Sequence, residues 1–216
     1  MTSDWTLVLE TTTPQATVLL AKGGEKVAQE TFFSERSQEA DLFEPLQNVL
    51  TKLGKEKLGT VVVGTGPGSY NGARVGIAVA QAIAQVHHAD VVGISSIEGM
   101  PCWQTTDGWA VGDARRRLFF HQRIENGRQD GDVVLLKQDI FNIWRAQRSS
   151  TELFAFEKLR YPEFQDVALS PPDAETLWQS WSTRSATEKA TLQQTPVEAT
   201  YLRPPNITPS RKKPLF

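Results

Sequence analysis

The residue types best suited to chemistry gather around one loop. Gly64-Thr-Gly-Pro-Gly-Ser-Tyr-Asn-Gly-Ala-Arg-Val-Gly76 follows a hydrophobic run, Thr60-Val-Val-Val63, and feeds an Ala-rich run from Ala73 to His87. A glycine loop between a strand and a helix N-terminus can cradle an anion, because free N–H groups and the helix dipole point the same way. It can equally let a helix pack tightly on a sheet, since glycine serves where the backbone takes positive φ or approaches something closely. The loop lacks the Lys and Ser/Thr of a Walker loop and does not match G-x-G-x-x-G, so packing is the favoured reading. Asn71 is a candidate N-cap. Arg74 either adds charge to an anion site or holds a neighbouring carboxylate. Glu10, at the end of a first strand and followed by Thr11-Thr-Thr13, stands where a phosphate-binding turn would lie in an actin-like ATPase. The bland alternative is a solvated strand end whose threonines satisfy the turn backbone. Candidate phosphate or metal contacts are therefore Glu10, Thr11, Gly66, Gly68 and Ser69.

Other constellations are bland. His87, His88 and His121 form no i, i+4 pair, so no metalloprotease-type site is expected. Cys102 reads as an inert thiol. No G-x-S-x-G elbow occurs. Trp178 and Trp181 read as core. Arg115-Arg-Arg117, with Lys212 and Lys213, could touch nucleic acid, although short basic clusters are usually solvated.

Two segments suggest a partner surface. Leu42, Phe43, Leu46, Val49, Leu50 and Leu53 recur at helical spacing over about Gln38 to Leu53, with Pro45 interrupting. In the next helix Gly72, Gly76, Ala80 and Ala84 repeat every four residues, a small-residue stripe that lets another backbone come close. Val75, Ile77, Val79, Ile83 and Val86 spread apolar character around the rest, and a helix apolar nearly all round should be covered on both sides. The expected interface is Leu42, Leu46, Leu50, Gly72, Gly76, Ala80 and Ile83.

The elements that position these residues follow from the pattern. Trp5–Glu10, Ala16–Ala21 and Lys26–Phe33 read as an antiparallel meander, with Lys22-Gly-Gly-Glu25 as a hairpin turn. The helix, the strand at 60–63, the glycine loop with its helix, and a strand at Ala89–Ile94 follow. Ser95-Ser-Ile-Glu98 fits a capping box. The order β-β-β-α-β-α-β is that of the ribonuclease-H-like lobe of actin and hexokinase, an α/β class with a mixed sheet. Further on, 109–113, 117–124 and 133–136 read as strands. Asp139 could cap a helix to about Gln147, and Pro171-Pro-Asp-Ala-Glu175 opens another. The expected organisation is two lobes, 1–104 and a smaller, less regular 105–203, with a Pro/basic tail over 204–216.

Size and charge agree with a globular protein. A chain of 216 residues buries roughly 70% of its extended surface. A net charge of −2 gives no global pull toward nucleic acid or anionic lipid. With one cysteine, no disulfide forms within the chain. No leader-like run and no membrane-length apolar stretch is present, so a cytoplasmic location and no membrane contact are expected.

Several segments together resemble the TsaB family, also called YeaZ, the accessory subunit of bacterial tRNA threonylcarbamoyladenosine synthesis. Gly66-Pro-Gly-Ser-Tyr-Asn-Gly-Ala-Arg-Val-Gly76 is similar to its glycine motif, Ile94-Ser-Ser-Ile-Glu98 to its next strand-to-helix segment, Asp113-Ala-Arg-Arg-Arg117 to the motif opening the second lobe, and Tyr201-Leu-Arg-Pro204 to its C-terminal signature. The resemblance implies an actin/hexokinase-type two-lobe fold and a non-catalytic scaffold. The scaffold would pair with a TsaD-like paralogue that transfers threonylcarbamoyl to an adenosine beside the anticodon, joined by a TsaE-like ATPase. The contact would use the two helices near 38–53 and 73–87, a surface that also supports a homodimer; tRNA contact would be indirect. The family's first-strand Asp is Glu10 here, and its Thr and Leu in the glycine motif are Asn71 and Ala73. No cofactor is expected. The alternative is a small ATP-dependent phosphotransferase of the same fold, with Glu10 and the loop holding magnesium and ATP or ADP; a peptidase reading lacks metal ligands.

Overall fold

The computed structural model describes residues 3–34 and 38–202; the expected tail at 204–216 lies outside them. The first sheet has strand order β3-β2-β1-β4-β5, built from β1 (Trp5–Glu10), β2 (Gln15–Lys22), β3 (Glu25–Phe33), β4 (Thr60–Gly64) and β5 (Asp90–Ile94). β1 pairs antiparallel with β2 and parallel with β4, so the hairpin half meets the crossover half at β1. Central strands covered on both faces read as continuous apolar runs, which is why Leu7-Val-Leu9 and Val61-Val-Val63 show no polar alternation.

Side chains alternate across the sheet. Leu7, Leu9, Val18, Leu20, Val61 and Val63 point to α1 (Gln38–Thr51) and α2 (Tyr70–His87). Val8, Leu19, Ala21, Val62 and Val92 point the other way, to Ala174, Leu177 and Trp181 of α4 (Ala174–Ser182). The stretch holding α4, and α5 (Ala186–Gln194) after it, falls within the range read from sequence as the second lobe, yet α4 covers the first sheet. A sheet with two apolar faces must bury both.

The second sheet has the order β10-β9-β6-β7-β8. β6 (Gly108–Asp113), β7 (Leu118–Glu125) and β8 (Arg128–Lys137) form an antiparallel meander. β9 (Leu153–Ala155) and β10 (Ala168–Leu169) add parallel edges. α3 (Gln138–Ala146) packs Phe141 against Phe119 and Phe164. His121 is stacked on Trp144 in this layer, and burial with the nearby Arg148 lowers its pKa to about 4.

Local details differ from the sequence expectations. Ser69, not Asn71, caps α2 by accepting from Gly72 N at 3.2 Å. Lys137 stands at the α3 N-cap with no side-chain bond, and Asp139 lies in the first turn. α1 runs on through Pro45. Glu98 closes no capping box on Ser95. Its carboxylate accepts from Ser180 Oγ at 2.7 Å, from Gln129 N at 3.4 Å and from Arg184, tying the crossover to β8 and α4.

The small-residue stripe of α2 faces inward. Ala80 is 0% exposed, and Gly72, Gly76 and Ala84 are buried with it. A Cβ on Gly76 would stand 2.3 Å from Thr11 Oγ1 and 3.4 Å from Val63 Cγ2. Gly76→Ala therefore sets a helix-propensity gain of about 1 kcal/mol against overpacking worth about 1–3 kcal/mol. Because Thr11 Oγ1 is fixed by donating to Gly72 O at 2.8 Å, the clash wins. Urea denaturation should find the variant less stable than wild type; equal or greater stability would contradict this packing.

Candidate functional site

β1 delivers Glu10 into a fully enclosed position, 0% exposed, and Thr11, Thr12 and Thr13 after it are buried as well. Oε1 of Glu10 accepts from Thr12 N at 2.7 Å and from Thr12 Oγ1. Oε2 makes no hydrogen bond of normal geometry and faces Gly64, where a Cβ would come within 1.9 Å of it and within 2.7 Å of Ser96 Oγ. Burial pushes the carboxyl above its ordinary range, while the Thr12 hydroxyl and amide, and Ser96, oppose the shift.

The glycine loop closes over this turn. Ser69 N donates to Thr12 O at 2.6 Å, and a Cβ on Gly68 would lie 2.4 Å from that same oxygen. Gly66 N donates to Ser96 Oγ at 3.0 Å, and Gly66 O accepts from Ser96 N at 2.9 Å and Ser95 Oγ at 3.2 Å. Glu10, Thr11, Gly66, Gly68 and Ser69 do come together, but around one another. Thr11 Oγ1 donates to Gly72 O at 2.8 Å and Ser69 N donates to Thr12 O, so the turn and the loop are bonded to each other. Among the described residues, no three His, Cys, Asp or Glu side chains group as a metal site.

A cleft of about 150 Å³ opens on the outer side of the loop, below the roughly 300–1,000 Å³ usual for ligand pockets. Four segments apart in sequence meet there. Pro67–Tyr70 forms one wall, the Asp113–Arg115 turn another, Glu157 a third, and Thr200–Leu202 the rim. Thr200 N donates to Thr65 O at 2.8 Å, so the C-terminal segment straps the loop. Tyr70 and Tyr201 stack at 5.0 Å, and Arg74 Nη1 donates to Tyr70 OH at 2.9 Å; among the described residues no carboxylate forms an ion pair with Arg74. Burial raises the Glu157 pKa, and Arg115 opposes it.

The residues expected to meet a partner are mostly core. Leu42 (1% exposed), Leu46 (6%) and Ala80 pack on the sheet with Gly72 and Gly76; Leu50 and Ile83 are half-buried against that core. The correction has a simple cause: the sheet already carries large Leu and Val side chains, so helices lying on it bring their small or stripe positions inward. Two large apolar side chains remain outside among polar ones: Phe43 on α1 is 64% exposed and Val86 on α2 is 76% exposed, while Val75 and Val79 of α2 are half-buried. Phe43 lies off the Leu42/Leu46/Val49/Leu53 stripe, a signal already present in the sequence. Burial pushes the Cys102 thiol up to about 12. Among the described residues, no helix is long and apolar enough to cross a membrane.

A buried carboxyl with a raised pKa stabilises the fold fully below its unfolded pKa, and that contribution is lost as pH rises through the folded value. Glu10→Gln removes this dependence while keeping the acceptor for Thr12. Denaturation across a pH series should therefore show the variant gaining on wild type as pH rises from about 4.5. A pH-independent difference would contradict the assignment.

A family model described as TsaD, tRNA N6-adenosine threonylcarbamoyltransferase, matches residues 12–140, more than half of the chain. The uncharacterized protein ML0378 of Mycobacterium leprae is 38% identical over 71 residues, 33% of this chain and 20% of that protein, so the match spans a fifth of that relative's length. YeaZ from Pseudomonas aeruginosa superposes with a TM-score of 0.65 at 19% identity, covering 92% of this chain and 100% of its own. A second Pseudomonas aeruginosa structure, of an uncharacterized protein with similarity to peptidase YeaZ, gives 0.67 at 20% identity over 93% and 100%. These likenesses carry the fold, the two-lobe α/β arrangement expected from the element order. By the extent of the family match, the chain belongs to the TsaD family of tRNA N6-adenosine threonylcarbamoyltransferases, and it carries the YeaZ fold.

Proposed function

We propose that the chain is the non-catalytic, TsaB-type member of this family: a scaffold that binds and activates a TsaD-like partner in modifying an adenosine beside the tRNA anticodon. The observation that carries the reading is the apolar exposure of α1 and α2: Phe43 on α1 and Val86 on α2 stand exposed, and Leu50, Val75, Val79 and Ile83 of the same helices are half-buried. Exposed large apolar side chains mark interaction sites where they form a contiguous patch. The glycine loop supports the same reading, because its backbone is bonded to the Glu10–Thr13 turn. The chemistry then belongs to the partner. A TsaE-like ATPase joins the assembly, and in the partner's absence two copies of this chain use the same helices as a homodimer.

Both exposed residues can be changed without disturbing the core, unlike Ala80, where a larger side chain would overpack the helix–sheet contact. A Phe43→Glu, Val86→Glu double variant should keep its melting temperature and lose at least about tenfold in affinity for a TsaD-like partner, about 1.4 kcal/mol. Calorimetric titration of the partner measures this. A well-folded double variant that binds as tightly as wild type would remove the surface from consideration, and magnesium-ATP binding with turnover by the isolated chain would support the phosphotransferase instead.

A further inference from the structure

The Asp113–Arg117 motif is only half used by the cleft. Asp113 Oδ1 accepts from Arg115 N at 2.6 Å and Oδ2 from Arg115 Nη1 at 3.3 Å. Arg115, Arg116 and Arg117 take φ values of 68°, 55° and 61°, three successive L-residues in the left-handed region, where Cβ crowds the next carbonyl. Backbone strain of this kind persists where surrounding contacts fix it, and it clusters at functional positions. Arg115 is occupied with Asp113, while Arg116 and Arg117 are exposed. Leu118 pairs in register with Lys137 at the end of β8, which brings a third exposed cation beside them. Arg116, Arg117 and Lys137 line a hollow of about 630 Å³. Among the described residues none of the three has an ion-pair partner. Asp139 is the acid on the rim; the amides of Gln138 and Asn142 in the same wall are occupied by Glu163 Oε1, at 2.6 and 3.3 Å.

We propose that this hollow binds the phosphodiester backbone of tRNA, so that the chain itself touches the nucleic acid. The inference rests on the proposed role in a tRNA-modifying assembly and adds a second surface to it, on the other sheet from α1 and α2. Guanidinium groups match phosphate oxygens in two-point geometry, and Lys137 adds a point charge. No aromatic ring lines the hollow to stack a base. The contact therefore positions the RNA and does not read its sequence.

The test uses the full chain assembled with its TsaD-like partner and a transcribed, unmodified tRNA, with binding followed by fluorescence anisotropy across a salt series. An R116A/R117A/K137A variant should bind roughly tenfold or more weakly, and the slope of log affinity against log salt should shrink by about two to three. R116K/R117K keeps the charge but not the two-point geometry, so it should keep the wild-type salt slope while losing part of the affinity. K137E lies outside the strained turn and should weaken binding even if the triple variant folds poorly. Partner capture by each variant is measured alongside and should be unchanged. Wild-type tRNA affinity and salt slope in folded K137E and triple variants would overturn the proposal, as would a wild-type assembly that binds no tRNA. Loss of partner capture would also overturn it, assigning the cations to an acidic protein surface. Failure of the scaffold reading itself is read separately, from the Phe43/Val86 titration.

Discussion

The structure depends on one close approach: the glycine loop and the start of α2 lie directly on the buried Glu10–Thr13 turn. At Gly64, Gly68 and Gly76 a single methyl group would reach Glu10 Oε2, Thr12 O and Thr11 Oγ1 within van der Waals contact. Those missing methyls let four polar residues at a strand end be enclosed, with Glu10 Oε2 left without a hydrogen bond of normal geometry. An unsatisfied buried polar group is costly, so the turn's donors and the loop's carbonyls must answer one another, as Thr11 with Gly72 and Ser69 with Thr12 do. The strap at Thr200 and the Ser95–Ser96 segment hold the loop from its other side.

Two consequences follow. The glycine loop is bonded to its own neighbours, the Glu10–Thr13 turn on one side and Ser96 on the other. And because α2 sits so close to the sheet through its small residues, its larger ones are pushed sideways and outward. On α2 this leaves Val86 exposed; Phe43 stands exposed on α1, beside that helix's own buried stripe. The second sheet, tied to the first by Glu98 through Ser180, Gln129 and Arg184, holds the arginine turn on a separate face.

The first sheet was legible because its central strands are uninterrupted apolar runs and the β2–β3 turn is marked by the pair Gly23-Gly24. The glycine loop was legible as a packing device, but not which groups it packed on: Glu10 read as a strand end in solvent or a ligand site, and only three-dimensional contact reveals it enclosed. The stripe Gly72–Gly76–Ala80 is visible as a face of α2, but periodicity does not say whether the sheet or a partner covers it; in the fold it lies on the sheet. β9 and β10, three and two residues long, are too short to carry alternation. α5 has no apolar periodicity to announce it, and its capping box, Ser185 with Glu188, was the available signal. The left-handed arginines could not be foreseen, because nothing in an Arg-Arg-Arg string favours positive φ.

The most direct test of the account is hydroxyl-radical footprinting of the chain alone and bound to a TsaD-like partner. The account predicts that Phe43 and Val86 lose reactivity in the complex while Tyr70 and Tyr201, beside the glycine loop, keep theirs. Phe43 and Val86 as reactive in the complex as in the free chain, with protection at the tyrosines instead, would contradict it.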